Sequence, residues 1–396
     1  MVERRIISSY MAAGIGWQIC VQAYWLLLFV RVSVELDFTP LELVLFGTAK
    51  EVAVLSFEIP TGVVADIFSR KWSVVIAFVI SGVAIAGSGL LGGFVPLLVM
   101  AALWGFGLTF RSGAETAWLT AEIGSPESAE PILLSRAAWS LLAKIVGVIG
   151  AGLLATVTSL STALTSFGVA LVAVALGLSV AMPERNFVAV ATDRRSAFTS
   201  LLRTGVSSAR RIRPLRVLVV STVVAGFGSE AVDRLYVRRL DELTTNSLTG
   251  SGVFWIGLIT VAQALLGALA LRVVVRRYQG DGIVPATAAT LIVTAIGVFA
   301  FAIAGVLGVA VIGLIVAGAA RLTTEPLRVA WANTWAPTEA RATVHSFVGQ
   351  AHSLGEIIGG VVLGTVATTA GLPAALTISA ALYAVSASQV VTFRRT

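Results

Sequence analysis

Glu230, Asp233 and Arg234 stand together in "AGFGSEAVDRLY" (residues 225–236), two acids and a base inside an apolar run. Desolvation favours the neutral form of a carboxyl group, so an acid placed there can carry a proton. Glu230 and Arg234 are also one helical turn apart and can satisfy each other. Arg111 with Glu115, and Arg321 with Glu325, have the same i, i+4 spacing, which lets each pair bridge on its own helix. Glu58 lies one turn before Gly62 with Pro60 between them, and Lys144 and Glu356 are single charges in apolar stretches that can titrate or pair across a helix interface. Gln18, Gln22 and Trp25 fall at i, i+4 and i+7, one polar-aromatic face to which Trp17 and Trp104 can add cavity wall. Trp118 and Trp331, near helix ends, read as interfacial anchors. A last group, Gly62, Asp66, Arg70 and Lys71, closes an apolar run in "EIPTGVVADIFSRKW" (58–72). Gly62 lets a neighbouring helix approach, and Asp66 can pair with bases or with the positive end of another helix, which together suit a gate.

Other chemistry finds no support in the residues. No phosphate-binding Gly-Lys-Ser/Thr loop and no Gly-x-Ser-x-Gly nucleophile stretch occurs. His345 and His352 are seven apart, and with one cysteine, Cys20, no metal-ligand cluster forms. Neither an enzyme nor a cofactor is expected. Cys20 in an apolar helix reads as packing.

The positions of these groups follow from composition. Of the 396 residues 57% are hydrophobic and 12% charged, against about 25% charged in soluble domains. The bilayer is therefore the expected solvent. The first apolar segment is too long for a signal peptide and lacks a cleavage pattern, so it is expected to remain as a helix. With about 20 apolar residues needed per span, twelve spans are predicted near 8–30, 42–65, 73–92, 96–118, 133–157, 161–181, 216–238, 252–274, 284–304, 306–328, 343–367 and 373–391. The basic stretch 183–215 separates an N-terminal bundle, 1–182, from a C-terminal one, 216–396.

Bases favour the cytoplasmic side. With the N-terminus inside, the inner segments hold Arg4, Arg5, Arg70, Lys71, the linker arginines, Arg276, Arg277, Arg341, Arg394 and Arg395, against Arg31, Arg238 and Arg239 outside. Both termini are then cytoplasmic. The net charge of +7 is spread along one membrane face, which fits topology and anionic lipid rather than nucleic acid.

The two halves repeat at an offset of about 211 residues. "AGIGWQ" (13–18) lies over "AGFGSE" (225–230), which sets Gln18 opposite Glu230. "RSGAE" (111–115) lies over "RLTTE" (321–325), "SPESA" (125–129) near "APTEA" (336–340), and "KIVGVIGAG" (144–152) over "EIIGGVVLG" (356–364). A duplicated six-helix unit is a transporter architecture with its site near the midplane.

"GVVADIFSRK" (62–71), at the inner end of span 2, resembles the Gly-x-x-x-Asp-x-x-x-Arg-Arg/Lys loop of the major facilitator superfamily, with Ile67 where the family has a base and Ser69 where it has glycine. The resemblance extends to the whole twelve-helix layout. It implies an all-α integral membrane protein of two pseudo-symmetric six-helix bundles, with the 62–71 loop locking the inner side. "GFGLTFRSGAE" (105–115) resembles the family's helix 4 motif, whose arginine, here Arg111, is linked to proton transfer. Helix 7 lines the central cavity in the family, which implies Glu230 as the first candidate for proton coupling, then Glu58 and Glu115. The glycines of "GVIGAGLL" are weakly similar to the helix 5 signature of exporters, with close packing an equal reading. "RSGAETAWL" looks most like bacterial drug exporters of the macrolide type.

The resulting expectation is a monomeric inner-membrane secondary transporter that exports an amphipathic small molecule against protons. A proton-linked symporter and a transport-inactive sensor or scaffold are the rival readings.

Overall fold

A computed structural model describes residues 2–189, 207, 211–244, 248, 251–277, 282–337 and 341–395. Most of the expected linker, including Arg194, Arg195, Arg203 and Arg210, lies outside the described residues, as does part of the 239–250 segment.

Among the described residues there is no strand. The helices are α1 (Val2–Val30, continued by a π-helical turn Arg31–Glu35), α2 (Pro40–Ile67), α3 (Arg70–Leu90), α4 (Phe94–Arg111), α5 (Ala114–Ile123), α6 (Pro126–Val157) and α7 (Leu160–Ala181). The second half holds α8 (Arg213–Leu243), α9 (Ser251–Arg277), α10 (Ile283–Ile303), α11 (Leu307–Trp335), α12 (Arg341–Ala370) and α13 (Leu372–Arg395). Each predicted span falls on one helix except that over 96–118, which falls on two. Eleven are long and apolar enough to cross a membrane, α4 and α5 counting as one span, Phe94–Ile123; the remaining helix, α2, carries more charge. The chain is a multi-pass membrane protein.

Local sequence explains several ends. Ser69, Ser125 and Ser159 cap α3, α6 and α7, each accepting a backbone N–H from three residues on. The span read as continuous over 96–118 is broken. α4 stops at Arg111, and Gly113 takes φ 76° before α5 begins. That left-handed backbone is cheap for glycine and costly for other residues, and it re-aims the chain next to a charged pair.

The described residues form two compact units. One comprises Met1–Asp37, Ala49–Arg194 and Thr249–Gly257; the other comprises Phe38–Thr48, Arg195–Leu248 and Leu258–Thr396. Within the first, α1 packs on α6 and α7, and α3 on α7 and α4. Within the second, α8 packs on α12 and α13, and α10 on α13 and α11. Counted as spans, this is one pairing scheme used twice, the structural form of the sequence repeat. Small residues permit it. A Cβ at Gly82 would lie 2.8 Å from the Gly168 carbonyl, and one at Gly297 would lie 2.7 Å from that of Gly313, so these helices touch backbone to backbone.

Candidate functional site

In the second unit, α8 gathers the charges. Arg234 Nε donates to Glu230 Oε1 at 2.9 Å, one turn away on the same helix, and Glu230 is 0% exposed. The pair is seated on glycines. A Cβ at Gly47 of α2 would come 2.8 Å from the Glu230 carboxyl carbon, and one at Gly360 of α12 would come 3.4 Å from its Cγ. Arg321 of α11 grips Asp233 with two parallel bonds, 2.6 Å to Oδ1 and 2.5 Å to Oδ2, the bidentate geometry that guanidinium favours. This second pair is partly open, with side-chain exposures of 26% and 35%.

Glu356 of α12 accepts from Ser229 Oγ at 3.5 Å, and its charge bears on both Arg234 and Arg321. His352, one turn earlier on α12, lies within electrostatic range of Asp233. The expected bridge between Arg321 and Glu325 is not formed. Arg321 is taken by Asp233, while Glu325, largely exposed, pairs with Arg328 at 3.5 Å. A planar partner on a neighbouring helix satisfies the fork better than a flexible glutamate on the same one. Among the described residues the cluster thus sets Glu230, Asp233 and Glu356 against Arg234 and Arg321, with Glu325–Arg328 adding one charge of each sign.

The first unit has its own charged group at the α4–α5 break. Glu115 Oε2 is 2.7 Å from Arg111, across the break, and Oε1 is 2.7 Å from Arg136 of α6. The Arg111 guanidinium lies over the Trp17 ring at 4.6 Å and that of Arg136 over Tyr10 at 4.3 Å. Arg136 was not singled out in the sequence because its partner is 21 residues away; the signal available was a base within an apolar-rich span. The buried Lys50–Glu51 pair of α2 was likewise passed over.

Above Arg111 the aromatic residues meet. Trp104 is 6.5 Å from Trp17, 5.9 Å from Tyr24 and 5.1 Å from Trp25 between ring centroids. Gln18 and Gln22 are half-buried on α1, as is Lys144 on α6. Glu58 accepts from Ser112 Oγ at 3.2 Å, at the end of α4. Sequence-predicted residues on α1, α2, α4 and α5 are thereby brought into one unit, and Glu230 into the other.

The 62–71 loop is tied within the first unit. Gly62 and Asp66 are half-buried on α2. Arg70 Nε reaches Asp66 Oδ1 at 3.4 Å, and its terminal nitrogen donates to the Ala117 carbonyl at 3.4 Å. Glu184, which the sequence did not flag, accepts from Ser69 Oγ at 2.6 Å and from the Lys71 backbone N–H at 2.9 Å. Ser69, standing where the resembled motif has glycine, is both the cap of α3 and a donor to Glu184. Glu122 accepts from the Arg185 and Asn186 backbones at 2.8 Å. Trp118 and Trp331 are not interfacial anchors. Trp118 is 1% exposed and donates to the Pro183 carbonyl at 2.7 Å; Trp331 is 0% exposed and stacks on Phe393 at 6.1 Å. Their rings are used in packing between helices.

No family model matches the chain, and no curated protein matches it. Solved structures do. The nucleoside transporter NupG superposes with TM-score 0.78 at 15% identity, covering 100% of this chain and 99% of its own. A bacterial homologue of the human lysosomal transporter Spinster, inward-facing and occupied, gives 0.78 at 12% identity over 100% and 96%. A D-xylose-proton symporter gives 0.75 at 14% over 99% and 98%. At these identities the likeness concerns the fold. Twelve spans among the described residues, with α4 and α5 taken as one, a doubled pairing scheme and end-to-end superposition on transporters together give this chain the major facilitator fold.

Proposed function

We propose that the chain is a secondary transporter that moves an amphipathic small molecule across a bacterial inner membrane by alternating access, coupled to protons and in the direction of export. The observation that carries this reading is the charge cluster of α8, α11 and α12, where Glu230, Asp233 and Glu356 meet Arg234 and Arg321 inside apolar spans. Ionisable groups within spanning helices are costly and mark ion and substrate pathways, and a carboxylate held by arginines there can exchange a proton when its partner moves.

Glu230 remains the first candidate for that proton, with Glu58 and the Arg111–Glu115 pair behind it. Asp233 joins them. Glu230 takes its arginine from its own helix, so the pair travels together, whereas Asp233 takes Arg321 from α11. Any shift of α8 against α11 would change how strongly Asp233 holds a proton. Gln18, Gln22, Trp25 and Trp104 supply a polar-aromatic wall suited to an amphipathic substrate. The direction of transport leans on the exporter-like "RSGAETAWL" stretch; the neighbours of known structure include a proton symporter, and the assay therefore reads both directions.

The test is movement of neutral, cationic and anionic fluorescent amphiphiles in an efflux-deficient host and in vesicles with and without a pH gradient. Gradient-dependent export is expected for the wild type. Glu230→Gln should keep binding and lose accumulation, leaving downhill exchange, and Asp233→Asn should lower the gradient dependence as well. Gradient-driven uptake would establish the symporter reading instead. Wild-type transport indifferent to the gradient would remove proton coupling.

A further inference from the structure

We propose that Lys144, with Gln18, Gln22 and the Trp25–Trp104 rings, forms a binding site for the anionic group of an amphipathic organic acid. This names a substrate class for the transporter reading above and rests on that reading for its physiological meaning.

The cations inside the first unit's spans are otherwise accounted for. Arg31 pairs with Glu35, Lys50 with Glu51, and Arg111 and Arg136 share Glu115. Lys144 is the exception: no acid pairs with it and no hydrogen-bond acceptor serves it among the described residues. It stands near the middle of the 133–157 span on α6, more than ten residues from either end. At 1.5 Å per residue that is more than about 15 Å, too far for the side chain to reach an interface by snorkelling. An ammonium at that depth costs about 2.5–3.5 kcal/mol on insertion scales, and a bound anion is what would offset it.

The packing of α6 turns Lys144 toward the polar face of α1. Gly147, one turn on, lies against α1, where a Cβ would come 3.0 Å from Ile19 Cα. Val148, four residues from Lys144, faces Leu26 and Gly257. Gly14 of α1 meets Arg136 as Ile19 meets Gly147, so the two helices run the same way and Lys144 sits on the stripe of α6 that meets α1, level with about residues 16–18. Gln18 at that level and Gln22 one turn further along α1 are half-buried with no hydrogen-bond partner among the described residues. Two amides can donate to an oxyanion beside the ammonium.

A second observation points the same way. Trp104 is 5% exposed, yet its indole N–H has no acceptor among the described residues. It stands in the same aromatic group as Trp25, 5.1 Å away. The rings offer faces for an apolar body, and the nearby Arg111–Glu115–Arg136 set, with two positive charges against one negative, adds a positive field. Ammonium, amides, an unsatisfied indole donor and edge-to-face rings are the complement of a carboxylate, sulfonate or phosphate carried on an aromatic or alkyl body.

The test is calorimetric binding to the detergent-purified full chain of a panel of acids with neutral counterparts: 2-naphthoate and 2-naphthamide, indole-3-acetate and its amide, naphthalene-2-sulfonate, and phenyl phosphate. At least one acid should bind the wild type better than its neutral counterpart. Lys144→Gln should weaken that acid about tenfold or more, the size expected for losing one charged contact. Lys144→Arg should recover part of the affinity, and the neutral counterpart should not respond to either change. Lys144→Met, which removes the charge without adding a polar group, should behave as Lys144→Gln. If no acid in the panel binds in a Lys144-dependent way, the site is overturned. Proteoliposome flux of the same compounds separates the two readings. Lys144-dependent binding with no flux of any compound would sink the transporter reading and leave the site. Flux of neutral compounds without Lys144-dependent binding of an acid would do the reverse.

Discussion

Glu115 takes ion-pair contacts from two arginines at once, and both guanidiniums are largely buried with it. Replacing a buried acid leaves its partners uncompensated, which costs about 3–5 kcal/mol. Glu115→Gln should therefore lower the thermal midpoint of the detergent-purified protein markedly. Adding Arg136→Leu to Glu115→Gln should restore part of the loss, because one of the stranded charges is then gone. A midpoint unchanged in Glu115→Gln would mean that the pair geometry contributes nothing to stability. The Arg111–Glu115 half of this triad was legible in the sequence, since i, i+4 spacing brings side chains together on any helix. It survives the Gly113 break. The same rule failed for Arg321 and Glu325, where a carboxylate from another helix competes and wins.

The inner end of α2, the turn at 68–69 and the start of α3 behave as one piece. Ser69 caps α3, Glu184 holds the turn from the segment after α7, and Arg70 links Asp66 of α2 to the Ala117 carbonyl of α5. We read this piece as a gate whose charge holds a state and does not touch substrate. Asp66→Asn should then abolish or severely reduce transport while leaving substrate affinity nearly intact, and Gly62→Leu should do the same by obstructing helix approach. Binding and flux measured on the same preparations check this. Normal flux in Asp66→Asn would reduce the loop to a topological anchor. The Gly, Asp and Arg/Lys positions were visible in the sequence because they form a short local pattern. Glu184 was not, because it is more than a hundred residues from the turn it serves.

For the chain as a whole, the distribution of bases predicts both termini and residues 183–213 on the cytoplasmic side, with 31–40 and 239–250 outside. Single cysteines introduced into a Cys20→Ser background should be labelled by an impermeant thiol reagent accordingly. A cysteine at 185 labelled from the periplasmic side would overturn that orientation. The pairing within each half is the same, α1, α3, α6 and α7 pairing as α8, α10, α12 and α13 do. Gly147 meets Ile19 in one unit and its repeat counterpart Gly359 meets Phe227 in the other, one helical turn from the position that matches Ile19.

The number of spans, their positions and the repeat could be read from residue order because a bilayer imposes a length and an apolar composition on every crossing helix. Those demands are local and leave a pattern in the chain. The partners of the intramembrane charges leave none. Arg321 is held by Asp233, Arg136 shares Glu115, Trp118 packs inward onto Pro183, and Lys144 has no acid partner among the described residues. Each of these depends on which helices meet and on which faces they present. That is settled by close packing between residues far apart in the chain, often at glycines that admit a backbone where a Cβ would clash.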